Sequence, residues 1–300
     1  MNHVGVTGCY GVKTNLGPLQ LKMKLYKSRR GIIIESDERF HFLESENWDD
    51  FVNDDHLFDK MVKMARSRPP MDDGQTFVNS SSQAPIQSQE IWASGVTYVR
   101  SKLGRQEESH SAGGGDFYAR VYEAERPELF FKATAHRIVG PRGKVRIRKD
   151  STWNVPEPEL TLVITSSGKI VGYTIGNDMS SRSIEGENPL YLPQAKTYDG
   201  CAALGPCIYV TEEPLPADTL IDLQVVRRKQ AVFAGSVDIK QMKRRPDELV
   251  SFLYRECSFP HGSLLMTGTG IVPPKSFSLQ HGDEIRITIR PIGTLTNMVE

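Results

Sequence analysis

W-N-V-P-E-P-E-L-T-L-V-I-T-S-S-G-K-I-V-G-Y-T-I-G-N-D, residues 153 to 178, has the residue pattern of a strand, a tight turn and a returning strand. Leu160 to Ile164 and Ile170 to Ile175 are rich in branched, apolar and Thr or Tyr residues, and Ser166-Ser167-Gly168 interrupts them. Side chains two apart on a strand share a face, so Glu157 and Glu159 project together with backbones roughly 6 to 7 Å apart. A turn centred near Ser167 sets Glu159 opposite Ile175 and Glu157 opposite Asn177, which brings Asp178 out beside the two glutamates. Three converging carboxylates repel unless a cation or shared protons compensate, and an all-oxygen set suits Mg²⁺, Mn²⁺ or Ca²⁺. The same spacing also describes a solvated hairpin rim.

Outward from this hairpin the chain is that of an ordinary globular protein. It has 300 residues, 38% of them hydrophobic and 25% charged, room for one large domain with a smaller companion. Lys+Arg and Asp+Glu each number 37, so no net field recommends nucleic acid or an anionic membrane as partner. Cysteines 9, 201, 207 and 257 have neither a disulfide framework nor a zinc spacing, which fits a reducing cytoplasm. No apolar run approaches the roughly 18 to 20 residues of a membrane span. Met1 to Gln20 has no basic start followed by an apolar core, as a signal peptide would.

The pattern predicts three parts: an extension over 1–22, with Met23 a candidate start; a small N-terminal domain with linker over 23–88; and a large domain over 89–300. Met23 opens a strand, turn, strand pattern, and Trp48 to Arg66 spaces its apolar residues for one or two amphipathic helices. Ser67 to Ser88, with Pro69-Pro70 and Ser80-Ser81-Ser82, reads as a linker. Beyond it, 91–98 reads as a strand interrupted at Ser94-Gly95. Arg100 to Arg126 reads as a polar, helix-prone segment split by Gly113-Gly114-Gly115, either a mobile lid or an ordinary exposed loop, and Val145 to Arg148 as a short strand. Residues 179–194 read as a helical turn and an irregular loop. Strands follow over 207–211, 220–226, 231–237, 263–267 and 284–289, with a helix over 246–255. Many short strands without βαβ alternation predict a mostly β, α+β fold: a sandwich, roll or distorted barrel.

Other motifs leave alternatives open. Gly268-Thr269-Gly270 can be an anion-binding nest or a tight turn, and Gly176-Asn177 reads as a turn that aims Asp178. No P-loop, dinucleotide fingerprint or H-E-x-x-H occurs. Lys132, Lys196 and Arg182 can neutralise a substrate carboxylate or stand as solvated charges.

W-N-V-P-E-P-E-L, G-Y-T-I-G-N-D-M-S-S-R-S-I-E, Lys196 in Q-A-K-T-Y-D-G, Leu204-Gly205-Pro206 and T-G-T-G-I-V-P at 267–273 together resemble the fumarylacetoacetate hydrolase superfamily over roughly residues 90 to 295. The resemblance implies a mixed β-roll or sandwich with a small α/β N-terminal domain. It further implies Mg²⁺ (or Mn²⁺ or Ca²⁺) on Glu157, Glu159 and Asp178, a small keto-acid substrate, and a homodimer or homotetramer. I-W-A-S-G-V-T-Y, V-Y-E-A-E-R-P-E-L-F-F-K-A-T and E-N-P-L-Y-L-P-Q-A-K are more similar to its 2-keto-3-deoxy-pentonate dehydratase branch. Where the hydrolases carry a lid His and Glu, this chain has Ser101 and Gly104, so the expected base for C–C hydrolysis is missing. That branch implies Glu128 as general acid/base, Lys196 near the keto acid, and Ser94, Gly95, Lys132, Arg182 and Thr269 around the substrate. The implied reaction is loss of water to give 2,5-dioxopentanoate in pentose breakdown. The rival classes are a family hydrolase or decarboxylase acting on acylpyruvate or oxaloacetate-like acids, and a non-catalytic Ca²⁺-binding β module.

Overall fold

In a computed structural model that describes residues 21–44, 46–109 and 115–300, the hairpin lies in the middle of a ten-stranded sheet. The elements run β1 (Met23–Lys27), β2 (Gly31–Ser36), β3 (Arg39–Glu44), α1 (Trp48–Val52), α2 (Leu57–Ser67), α3 (Gly74–Ser81), β4 (Glu90–Gly95), α4 (Val99–Ser109), α5 (Gly115–Glu123) and β5 (Glu128–Thr134). Three two-residue strands follow, β6 (Ile138–Val139), β7 (Lys144–Val145) and β8 (Asn154–Val155), then the hairpin strands β9 (Pro158–Ile164) and β10 (Ile170–Asp178). The chain continues through β11 (Ser180–Ser181), α6 (Arg182–Glu187), α7 (Leu192–Lys196), β12 (Ala202–Val210), β13 (Leu220–Arg227) and β14 (Gln230–Asp238). It ends with α8 (Pro246–Leu253), β15 (Ser263–Met266), β16 (Glu284–Ile289) and β17 (Gly293–Val299).

The large sheet has the order β3-β2-β1-β12-β10-β9-β15-β4-β5, with β6 also pairing β12, and the second sheet is β14-β13-β16-β17-β7. Alternation along β9 explains the layering. Leu160, Leu162 and Ile164 join one core cluster with Ile221, Leu223, Ile285 and Ile287 of the second sheet, while Val163 belongs to another. That other cluster contains Met23, Leu25, Ile32 and Ile34 together with Trp48 and Phe51 of α1 and Leu57 and Met61 of α2. The hairpin is therefore covered on both faces, and its strand ends are held in a sealed interior.

The register differs from the sequence expectation by one residue, with a consequence for the carboxylates. Ile170 faces Ile164, as a turn centred on Ser167 requires, but the ladder shifts before Gly172, so Gly176 rather than Ile175 faces Glu159. This bulge sets Asp178 level with Glu157, and the Asp178 amide donates to the Glu157 carbonyl at 2.9 Å. Gly176-Asn177 is not a turn. Both residues are inside β10, where Asn177 pairs with Pro158 on one side and Ala203 on the other.

Other expectations fare unevenly. The amphipathic segment forms α1 and α2, and 246–253 is helical. The linker over 67–88 contains α3, anchored by buried Val78. The expected strand over 145–148 shrinks to β7, and 179–194 holds more helix than its two prolines suggested. β17 went unpredicted although Leu295, Asn297 and Val299 alternate inward. The strand from 90 stops at Gly95, where Val96 turns with φ 54. Residues 1–20, and Gly113 and Gly114 of the lid, lie outside the described residues. Among the described residues no helix is long and apolar enough to cross a membrane.

If the two layers close on the hairpin as described, Leu162→Ala should cost about 2–5 kcal/mol of stability in urea unfolding with an unchanged m-value. A loss well below that range would show that Leu162 is not sealed between the layers.

Candidate active site

Glu157 precedes β9, Glu159 is its second residue and Asp178 ends β10. All three are buried, and one oxygen from each lies within 4.8 Å of the others. Two carboxylates about 4 Å apart repel on the order of 4 kcal/mol even at an effective dielectric near 20, so the surroundings must supply positive charge.

They do so from β5, α6 and α7. Lys196, the last residue of α7, donates to Glu157 Oε2 at 2.6 Å, Asp178 Oδ2 at 3.0 Å and Ser180 Oγ at 2.6 Å. Lys132 of β5 pairs with Asp178 Oδ1 at 2.6 Å and donates to the carbonyls of Met179, at 3.0 Å, and Lys196. Arg182 opens α6, whose N-cap Ser181 accepts from the Ile184 amide, and its Nη2 donates to Glu157 Oε1 at 2.5 Å. Glu159 accepts from the Gly268 amide at 2.6 Å. Gly268 has φ +90, and a side chain there would overlap Thr97 Oγ1, so only glycine presents its N–H in this way. Within the 268–270 segment the Gly268 amide alone reaches this carboxylate, and Thr269 closes a local turn by accepting from the Ile271 amide.

The two glutamates, two residues apart, have opposite electrostatics. Burial acts to raise the Glu157 carboxyl, but Lys196, Arg182 and Arg105 outweigh it and hold Glu157 below the usual carboxylate range. For Glu159 burial is reinforced by Asp178 and Glu157 and only partly offset by Lys196, so it is pushed well above that range. A donor set of three buried carboxylates, with no nitrogen or sulfur among them, fits a hard divalent cation, and such a cation would relieve the strain on Glu159.

Glu128 opens β5 opposite Gly95 of β4. A side chain on Gly95 would overlap the Glu128 carboxylate, and Ser94 Oγ donates to the Glu128 carbonyl at 3.0 Å, so this pair holds Glu128 in place. Burial raises the Glu128 carboxyl, with Arg105 and Lys196 partly offsetting it. It lines a cavity of about 670 Å³ together with Phe117, Tyr118, Pro189 and Leu190. Thr269 is buried, and its hydroxyl accepts from the Ile271 amide at 3.2 Å.

Glu157, Glu159, Asp178, Lys132, Lys196 and Arg182 are therefore in one contact network, with Glu128 on Gly95 facing it. Sequence reasoning missed Arg105 and Glu185. Arg105 Nη1 pairs with Glu185, and its Nη2 stands 3.9 Å from Glu157 Oε1. Glu185 is three residues after Arg182 on a short helix, a spacing that could have been read as a pair; Arg105, in a polar helix, carries no local signal. At the lid position where hydrolases carry His, the Ser101 hydroxyl closes on its own turn, donating to the Tyr98 carbonyl at 2.8 Å.

Residues 91–300 match the family model described as fumarylacetoacetate (FAA) hydrolase C-terminal. A Haloferax volcanii protein named as a probable 2-keto-3-deoxyxylonate dehydratase is 47% identical over 224 residues, 74% of this chain and 76% of that protein. The 2-dehydro-3-deoxy-D-arabinonate dehydratase of Saccharolobus solfataricus is 44% identical over 218 residues, 72% and 73% of the two chains. A solved structure of 2-keto-3-deoxy-D-arabinonate dehydratase complexed with magnesium and 2,5-dioxopentanoate superimposes with a TM-score of 0.77 at 35% identity, covering 93% of this chain and 98% of that one.

Glu159→Gln keeps the volume and the bond from Gly268 but removes one anionic ligand. Mn²⁺ affinity by titration calorimetry should fall by about tenfold or more; an unchanged affinity would exclude Glu159 as a ligand.

Proposed function

The chain belongs to the fumarylacetoacetate hydrolase family, and on that premise we propose that it is a divalent-metal-dependent dehydratase that converts a 2-keto-3-deoxy-pentonate to 2,5-dioxopentanoate and water. The observation that carries this reading is the pairing of the buried carboxylate cluster with Glu128, seated on Gly95 at the cavity, while the lid position holds Ser101 instead of a base.

Glu157, Glu159 and Asp178 would hold Mg²⁺ or Mn²⁺. Bound there, the ion supplies Lewis acidity toward the carboxylate and keto oxygens of a 2-keto acid, which acidifies the C3 proton. The protein's own groups do the rest. Glu128, as the carboxylate, takes a proton from C3 and returns it to the departing C4 hydroxyl, and its raised carboxyl makes it a stronger base for the first step. Lys196, donating at the edge of the cluster, stabilises the negative charge developing on the C2 oxygen. Ser94 and Gly95 fix Glu128, Lys132 fixes Asp178 and the Lys196 backbone, and Arg182 and Thr269 shape the surrounding wall. The C3–C4 double bond left by dehydration then isomerises: one hydrogen from C5 and one from its hydroxyl pass to C4 and C3, leaving an aldehyde and no other product but water. The substrate in this reading is a small keto acid; the family relationship suggests a homodimer or homotetramer, and the cysteine usage a reducing cytoplasm.

Purified protein with Mg²⁺ and each 2-keto-3-deoxy-pentonate isomer should yield an aldehyde read by a coupled aldehyde dehydrogenase; chelation should abolish the signal and Mg²⁺ restore it. Cleavage of acylpyruvates without pentonate turnover would replace this reading with a hydrolase.

Glu128→Gln should lower kcat by about 10²–10⁴. Because Glu128 must be ionised to take the C3 proton, the acid limb of the pH–rate profile should rise as pH passes up through its raised value, above the ~4.3 of a free glutamate, and disappear in Glu128→Gln. An unmoved limb would assign the base elsewhere.

A further inference from the structure

The helix α4 is inverted for a surface helix. Its apolar Val99 and Leu103 are 52% and 44% exposed, while Arg105 is 6% exposed. Burying a guanidinium is unfavourable unless it is bonded, so its contacts identify its purpose. Arg105 Nη1 pairs with Glu185, Nη2 stands 3.9 Å from Glu157 Oε1, and the guanidinium lies 5.9 Å from the Tyr118 ring of α5.

Glu185 is 1% exposed, and its other cationic neighbours are Arg182 Nε and Lys196 Nζ, each 3.9 Å away. Those same two side chains donate to Glu157 at 2.5 and 2.6 Å. Glu157 and Glu185 therefore compete for one pair of cations. Among the described residues, Glu157, Asp178 and Glu185 share Lys132, Lys196, Arg182 and Arg105, with Glu159 and Glu128 close by, so removing Arg105 leaves buried Glu185 drawing on Arg182 and Lys196.

We propose that Arg105 is a positioning residue: by occupying Glu185 it leaves Lys196 and Arg182 on Glu157, and so ties the seating of α4 to the placement of Lys196. The proposal rests on the reading of this cluster as a metal-dependent keto-acid site. It extends that reading by assigning a task to two residues outside the ligand set.

The test compares Arg105→Met, Arg105→Lys and Arg105→Met/Glu185→Gln with the full-length protein. Arg105→Met should lower kcat about tenfold with KM changed far less, because Lys196 is drawn toward Glu185. Mn²⁺ affinity, measured by calorimetry without substrate, should rise severalfold as Glu157 loses counterions. Arg105→Lys keeps the charge and should be intermediate in both. The double variant removes the competing carboxylate, restores charge balance, and should regain most of the lost kcat and the original Mn²⁺ affinity despite making fewer ion pairs. A latch that only holds the helix would leave the double variant no better than Arg105→Met, and that result overturns the proposal, as does an unchanged kcat in Arg105→Met. The Mn²⁺ series needs no substrate, so it stands or falls separately from the dehydratase reading. If acylpyruvate is the true substrate, the kcat series is read on that compound.

Discussion

Burying three carboxylates within one ion's reach is the constraint around which the rest of the structure is arranged. Repulsion between them is of the order of several kcal/mol per pair, and no segment near the hairpin in sequence carries enough positive charge to offset it. The fold answers by bringing Lys132 from β5, Arg182 from α6, Lys196 from α7 and Arg105 from α4 to the open ends of β9 and β10. The two-layer core that seals the hairpin makes this neutralisation effective, because the attraction acts away from bulk water.

Within that arrangement chemically identical groups take different roles. Glu157 is surrounded by cations and stays ionised, whereas Glu159, two residues on and on the same strand face, has an amide donor at Gly268 and two carboxylate neighbours. Glu128 differs again: its carboxyl sits against Gly95 beside the cavity, near Arg105 and Lys196 but outside the cluster. One carboxylate held charged, one raised by burial and its carboxylate neighbours, and one raised by burial alone are three environments for the same functional group.

On α4, Ser101 is bonded to the Tyr98 carbonyl of its own turn and Arg105 is paired with Glu185. Glu128 stands on a strand instead, opposite Gly95, and a side chain carried by a strand is placed more rigidly than one carried by a loop.

Much of this was legible in the sequence. The hairpin, the approach of its three carboxylates and the mostly β character follow from periodicity and spacing, which are local. The missing lid His, the roles of Glu128 and Lys196 and the assignment of the carboxylates to a metal came from the resemblance. The bulge near Val171 could not be read, because register depends on how neighbouring strands pack and not on residue pattern alone. Nor could the helix within 67–88, whose formation follows the burial of Val78. By itself the sequence determined that Glu157, Glu159 and Asp178 come together on one hairpin, an oxygen set that suits a hard ion. Only the tertiary structure decided which cations stand on which carboxylate, which glutamate is held low and which is raised, and that Arg105 and Glu185 join the same site, because charge compensation acts through space and leaves no periodic trace along the chain.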